Sequence, residues 1–139
     1  MRRLTVVQLL PALESGGVGR STLEIADALV RSGHCSIVVS AGGRLLPDLL
    51  AGGSAHIALP IGRKSLATLR HVRSLRRLFA SLRPDIVHAR SRLPAWLARG
   101  ALRGLARRPA FVTTVHGLNS AGVYSGVMAS GDRVICVSN

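Results

Sequence analysis

Aromatic side chains are scarce in this sequence. Phe79, Trp96, Phe111 and Tyr124 are the only ones among 139 residues, although 47% of the residues are hydrophobic. The core must therefore be built from Leu, Val, Ile and Ala, a mixture that suits helices packed on a buried parallel sheet. The shortage of aromatic rings also argues against a surface that stacks on nucleic-acid bases.

Cysteine is nearly absent, and long apolar runs are missing. Cys35 and Cys136 each lie in a short apolar run that is typical of a strand, which favours a reduced, cytoplasmic protein. No run reaches the roughly 20 apolar residues that span a bilayer. The amino terminus superficially imitates a signal peptide, but Gln8, Pro11 and Glu14 interrupt it and no small-residue cleavage site follows. We therefore expect a protein that is soluble or associated with a surface.

Acidic residues are few as well. Six of them face nineteen basic residues, all arginine except Lys64, and the formal net charge is +13. This surplus favours polyanionic partners, and nucleic acid, anionic membrane and phosphorylated substrates all qualify. The basic segment 63–83 is either a helix packed on the core with a solvated basic face or a face attracted to anionic lipid headgroups.

Short apolar runs alternate with segments of helical period, which predicts an α/β fold: a Rossmann-like, doubly wound parallel sheet in three α/β/α layers. The usual strand order 3-2-1-4-5-6 would place the two cysteines too far apart to bridge. We expect one domain over residues 1–139, and because the sequence stops directly after a strand, we expect a fragment. The predicted strands are 4–10, 35–40, 55–59, 85–89, 110–115 and 133–137, and the predicted helices are 20–31, 65–82 and 94–105, with short pieces at 45–50 and 124–128.

A glycine-rich segment connects the first strand to the first helix. We expect residues 11–19 to form a turn and the helix to begin near Arg20. Glycines let backbone N–H groups approach a ligand, and a helix N-terminus favours an anion. The spacing of Gly16, Gly17 and Gly19 matches neither a dinucleotide fingerprint nor a P-loop. The segment is either a phosphate contact or a tight turn that binds nothing.

Polar residues cluster where the later strands end. Because the carboxyl ends of parallel strands share one edge, they would line a crevice with the glycine turn at the switch point between the first and fourth strands. His88 and His116 are either structural histidines or site residues. No metal-ligand spacing, nucleophile elbow or catalytic carboxylate pair accompanies them. The strand-end residues are His88, Arg90, Ser91 and Arg92, then His116, Gly117 and Asn119, then Ser138 and Asn139.

Four segments in order resemble the amino-terminal domain of a GT-B glycosyltransferase of the family-four, retaining, nucleotide-sugar-dependent type. They are GGVGRSTLEIADALVRSGHCSIVVSAGG (16–43), PDIVHARSRLPAW (84–96), TTVHG (113–117) and GDRVICVSN (131–139). The resemblance runs through nearly the whole chain. It implies a second, carboxy-terminal Rossmann domain with a basic phosphate contact and an E-x7-E glutamate pair, which the two glutamates of this sequence, Glu14 and Glu24, do not form.

The resemblance also implies roles for single residues. Gly16 and Gly17 would contact the donor's diphosphate, and His116 would be the catalytic residue against the transferred sugar. The acceptor side of the cleft would contain His88, Arg90, Ser91, Gly117, Asn119 and Ser138. Many relatives have histidine where this sequence has Arg90, and an arginine there could recognise a phosphate or carboxylate on the acceptor. No metal or other cofactor is expected beyond the nucleotide-diphosphate sugar.

The expected function is sugar transfer from that donor to an acceptor hydroxyl of a cell-envelope glycan or glycolipid, such as lipopolysaccharide. We expect a cytoplasmic location, with peripheral contact to the inner face of an anionic membrane, no nucleic-acid partner, and little or no transfer by this half alone. Two alternatives stay open. One is a basic, non-enzymatic nucleic-acid-binding module, and the other is a relative of the GT-B sugar-nucleotide epimerases.

Overall fold

Six strands and four helices follow one another along the part of the chain that the structure describes. The computed structural model describes residues 2–62, 68–116 and 131–137. The strands are β1 (Thr5–Leu9), β2 (Cys35–Ser40), β3 (Ala55–Ala58), β4 (Ile86–Ala89), β5 (Ala110–His116) and β6 (Arg133–Val137). The helices are α1 (Gly17–Arg31), α2 (Leu46–Ala51), α3 (Thr68–Leu82) and α4 (Arg92–Leu102).

All six strands form one parallel sheet in the order β3-β2-β1-β4-β5-β6. The predicted α/β fold and strand order are therefore confirmed. The chain reverses its direction of winding between β1 and β4, where Gln8 is in register with His88. Three strands separate β2 from β6, and at about 4.8 Å per strand spacing this puts Cys35 and Cys136 out of disulfide range, as expected.

The helices cover the sheet in two layers, because successive strand residues point to opposite faces. Val7 and Leu9 of β1 pack in a core with Leu75 and Phe79 of α3 and with residues of α4. The other face of the sheet packs against α1 and α2 through a smaller core: Leu10, Leu13, Ala26, Val38, Leu45 and Leu49. The predicted three-layer arrangement follows from these two cores.

The helix boundaries that differ most from the sequence prediction are those of α1 and α4. Helix α1 begins at Gly17 rather than near Arg20, and its first helical hydrogen bond runs from the Arg20 N–H to the Gly16 carbonyl, at 3.1 Å. Low glycine propensity had favoured a loop there. Helix α4 spans Arg92–Leu102, so Pro94 lies in its first turn, where a missing N–H costs no helical hydrogen bond. The predicted segments at Ser65 and 124–128 lie outside the described residues.

Asp85 joins three strands at the amino edge of the sheet. Its carboxylate accepts a hydrogen bond from the Thr5 N–H at 2.8 Å and forms ion pairs with Arg2 and Arg107, each at 3.0 Å. The Thr5 hydrogen bond, followed by the two arginines, lowers the pKa of Asp85 from its usual value, against the opposing effect of burial. Asp85 is therefore held ionised at the edge opposite the crevice.

In the part of the chain that the structure describes, no helix has both the length and the apolar character needed to cross a membrane.

Candidate functional site at the carboxyl edge

The glycine turn and the end of β4 meet at one pocket, as the sequence predicted for the switch point. The pocket has a volume of about 300 Å³ and is lined by Pro11, Ala12, Glu14, residues 16–19 and Ser91. Backbone hydrogen bonds anchor the turn: the Leu13 N–H donates to the Gly42 carbonyl, and the Leu45 N–H donates to the Leu13 carbonyl, both at 2.9 Å. The turn is thus fixed against the connection between β2 and α2.

The three glycines of the turn have different surroundings. A Cβ atom added at Gly16 or Gly17 would meet no atom of the described residues within 4 Å, whereas one added at Gly19 would lie 2.0 Å from the Glu14 carbonyl oxygen. Gly19 is therefore required for backbone packing. Gly16 and Gly17 leave open space that a ligand can enter.

The amino end of α1 supplies hydrogen-bond donors to this space. The first N–H groups of a helix have no acceptor within the helix, and the aligned peptide dipoles give that end a partial positive charge. Gly16, the N-cap, offers no side-chain acceptor, and the first turn contains no acidic residue. Glu14 lines the pocket, but its carboxyl oxygen lies beside Gly43, 2.7 Å from where a Cβ would stand on that residue. The end of α1 can therefore bind an anion.

Ser91 brings a second helix end to the pocket. It is the N-cap of α4, whose first turn also contains no acidic residue, and its side chain makes no capping hydrogen bond. Its Oγ is buried without a hydrogen-bond partner among the described residues. Ser91 was predicted for the acceptor side of the cleft, and the structure places it in the lining of the same pocket as the glycine turn.

Arg90 lies behind the pocket rather than in it. The residue is 1% exposed. Its two terminal nitrogens donate to Gln8 Oε1 at 3.2 Å and to Ser21 Oγ at 2.5 Å. Burial lowers the pKa of the guanidinium. A direct contact between Arg90 and an acceptor stays a prediction, and it would require these two hydrogen bonds to be exchanged.

His88 is also buried, on the same face of the sheet as Gln8. It is 6% exposed, and its Nε2 is hydrogen-bonded to Thr114 Oγ1 of the neighbouring strand β5. This contact holds β4 to β5 just below the crevice. A role in the acceptor cleft stays a prediction for His88.

The remaining predicted residues follow β5 and β6. The backbone of His116 is the last position of β5 and is in register with Val137 of β6, so it lies at the carboxyl edge as predicted. The His116 side chain is not among the parts that the structure describes. Gly117, Asn119 and Ser138 lie outside the described residues.

Two residues of this region were not predicted: Gln8 and Ser21. Gln8 is fully buried in the middle of an apolar strand, and its Nε2 donates to the Thr22 carbonyl at 3.3 Å. The signal in the sequence was a lone amide among valines and leucines, since a buried polar side chain needs hydrogen-bond partners. Ser21 carries no comparable signal.

Fold and pocket together define a Rossmann-type α/β domain with a glycine-lined crevice at its switch point. The model of Glycosyltransferase Family 4 matches residues 15–139. The chain therefore belongs to this family.

Solved structures agree with this assignment. A glycosyltransferase from Rickettsia africae ESF-5 is 32% identical, with a TM-score of 0.82, over 99% of this chain. A protein assigned as a UDP-N-acetylglucosamine 2-epimerase from Listeria monocytogenes (15% identity, TM-score 0.66, 96% of this chain) and the glycotransferase of kitacinnamycin (15%, 0.56, 82%) share the fold. The chain spans 38%, 38% and 31% of these three chains, respectively. No curated protein matches the chain.

Proposed function

We propose that this chain is the acceptor-side domain of a retaining glycosyltransferase. The enzyme would transfer a sugar from a nucleotide-diphosphate sugar to an acceptor hydroxyl in cell-envelope glycan or glycolipid synthesis. The observation that carries the proposal is the open space at Gly16 and Gly17, which faces the uncapped end of α1 and Ser91. The family assignment supports sugar transfer over other uses of an anion site.

The chemistry follows from where charge develops. When the donor's sugar–phosphate bond breaks, negative charge grows on the leaving diphosphate. Backbone N–H groups held in place at the start of α1 would stabilise that charge without reorganising, which lowers the barrier. His116, at the end of β5, would contact the transferred sugar, and no metal ion is required in this scheme.

The proposal requires a second domain. Residues of this chain form one side of the crevice, and the Rickettsia glycosyltransferase contains more than twice as much chain as the part matched here. We propose that a carboxy-terminal Rossmann domain supplies most of the donor contacts and that this half transfers little or no sugar alone. The epimerase likeness, at 15% identity, supports the fold and not that activity.

The anion site can be tested by an NMR titration of the 15N-labelled chain with inorganic pyrophosphate and then with nucleotide-diphosphate sugars. We expect saturable shift changes at the amides of Gly16, Gly17 and Val18, because these groups would hydrogen-bond the phosphates. The shift changes must be assigned to single residues, because the nineteen basic residues also attract any anion weakly. Changes confined to arginine-rich segments, with the three amides unmoved, would contradict the proposal.

Acidic and basic residues are distributed unequally between the two helical layers. This inequality supports a membrane-facing surface on one of the two layers. In residues 70–108, Asp85 is the only acidic residue, and it is used at the amino edge of the sheet. Three arginines, Arg99, Arg103 and Arg108, line a recess of about 260 Å³ together with Leu102. The opposite layer mixes both signs, with Glu24, Asp27 and Asp48 in α1 and α2.

We therefore propose that the layer of α3 and α4 contacts anionic lipid headgroups at the inner face of the cytoplasmic membrane. The variant Arg99→Gln/Arg103→Gln should lower the affinity for phosphatidylglycerol vesicles by about tenfold or more, since each basic residue near the surface contributes about 1 kcal/mol. Co-sedimentation at fixed ionic strength measures this. The matched control, Arg31→Gln/Arg44→Gln, removes the same charge from the other layer and should have little effect.

Equal losses of vesicle affinity in the two double variants would show that net charge alone attracts the protein to the vesicles. This result would overturn the proposed orientation. Binding to mixed oligonucleotides that is tight and salt-sensitive, with none to vesicles or nucleotide sugars, would instead favour a nucleic-acid-binding module.

A further inference from the structure

Arg90 is a buried cation whose visible partners are all neutral. Its terminal nitrogens are hydrogen-bonded to the amide oxygen of Gln8 and the hydroxyl of Ser21, and its Nε has no hydrogen-bond partner among the described residues. Within residues 2–62, 68–116 and 131–137, both ion pairs join Asp85 to an exposed arginine, and neither includes Arg90. The guanidinium therefore has no counter-charge there.

Such an arrangement is poorly suited to stabilising the fold. Transfer of a charge out of water is costly unless an opposite charge compensates for it, and an apolar side chain of similar size is often at least as stable in the same place. An arginine stays protonated in proteins even when it is buried. The charge itself, rather than packing, is the property of Arg90 that the site can use.

The position of Arg90 connects this charge to the glycine turn. Ser21, which accepts one of its hydrogen bonds, lies four residues after Gly17 on α1, about one helical turn or 5–6 Å along the helix. The next residue of the chain, Ser91, lines the pocket. The Arg90 N–H also donates to the Leu9 carbonyl at 2.9 Å, at the point where β1 enters the turn. The guanidinium is thus hydrogen-bonded to the helix whose first turn lines the open space.

We infer that Arg90 is a positioning residue for the donor: its buried charge attracts the diphosphate at the glycine turn, and its hydrogen bond to Ser21 sets α1 against β4. This inference rests on the proposed function. A charge behind the pocket and shielded from solvent acts more strongly than an exposed arginine at equal distance, because water and salt screen it less. The bound diphosphate is the counter-charge that the described residues do not provide.

The test uses the 139-residue chain and inorganic pyrophosphate, with affinity measured by calorimetry and stability by thermal unfolding without ligand. Arg90→Met should weaken pyrophosphate binding by about tenfold, as expected for loss of one nearby screened charge. Removal of the buried charge offsets the loss of the donor to Gln8 Oε1, so the Tm of the free chain should stay within about 5 °C of wild type. Arg90→Lys keeps the charge and should stay within about threefold of wild-type affinity.

Arg31→Met is the control for net charge, since Arg31 is exposed and lies in the last turn of α1, at the opposite end of that helix from the glycine turn. It should leave pyrophosphate affinity at the glycine turn nearly unchanged. Arg90→Met with a lowered Tm and wild-type affinity, or a failure of that variant to fold, would show a packing role and overturn the inference. If Arg90→Lys binds pyrophosphate as weakly as Arg90→Met, the inference is also overturned, because the positive charge would then not be what strengthens binding. If the wild-type chain binds no pyrophosphate at Gly16 and Gly17, the proposed function fails as well.

Discussion

Replacing His116 with alanine is expected to lower sugar transfer by about a hundredfold or more, the usual cost of removing one group that contacts the developing charge. The expectation rests on where β5 ends. Its pairing with β4 places Thr113 beside Ala89, so β5 continues beyond the level of Arg90 before it stops at His116. The His116 backbone therefore lies farther out on the carboxyl edge than the backbone of His88 or Arg90.

The measurement needs this chain together with a carboxy-terminal donor-binding domain, and it compares kcat/KM for the donor with the circular dichroism spectrum of each variant. The spectrum should not change, because His116 is the last residue of its strand. His71→Ala is the matched control, since it removes an imidazole from α3 rather than from a strand end. Transfer by His116→Ala at the wild-type rate would remove His116 from the site.

The fold was predictable because the short apolar runs typical of strands are easily distinguished from the segments with a helical period. The apolar runs at 35–40 and 133–137 became β2 and β6 without a change of boundary. Few aromatic residues and many Val, Leu and Ile residues already favoured a parallel sheet covered on both faces. The strand order was expected because it is the usual one for a doubly wound sheet, and the structure has the same order.

The start of α1 was not predictable from helix propensity, because Gly19 is required by a close backbone contact and Gly17 borders open space. Helix propensity alone assigns Gly17, Val18 and Gly19 to a loop. The structure places them in the helix, where Gly19 faces the Glu14 carbonyl and the Arg20 N–H reaches back to Gly16. A tertiary contact thus overrides the local preference.

The surroundings of Arg90 could not be predicted for a different reason. Its position at the end of β4 was evident from the sequence, but its partners are 82 and 69 residues away along the chain, at Gln8 and Ser21. Whether a strand-end arginine faces a ligand or is enclosed behind one depends on how α1 packs over β1 and β4. This packing depends on many apolar contacts together, and no single sequence motif predicts it.

Gly19→Ala is expected to destabilise the chain by about 3 kcal/mol, within the range for overpacking of a tight site. A Cβ atom at this position would lie 2.0 Å from the Glu14 carbonyl oxygen and 3.1 Å from Leu45 Cδ1. The first of these contacts is with backbone, so no rotamer change can relieve it. Either the turn or the first turn of α1 must move.

Neither the glycine turn nor α1 is free to move. The turn is tied to the β2–α2 connection by backbone hydrogen bonds at Leu13, and α1 packs on the sheet through Thr22 and Ala26, both fully buried. We therefore expect the Tm of Gly19→Ala to fall by roughly 10 °C, at a few degrees for each kcal/mol. Thermal unfolding followed by circular dichroism measures the change.

Gly17→Ala is the decisive comparison, because the same methyl group added two residues earlier meets no atom within 4 Å among the residues that the structure describes. Alanine is also the better helix former, by about 1 kcal/mol in a helix interior, so this variant should be at least as stable as wild type. It should nevertheless bind pyrophosphate more weakly, since the methyl group occupies the space where the phosphates would lie. If Gly19→Ala is as stable as wild type, or if Gly17→Ala binds pyrophosphate normally, then the division of the turn into one packing glycine and two ligand-facing glycines is wrong.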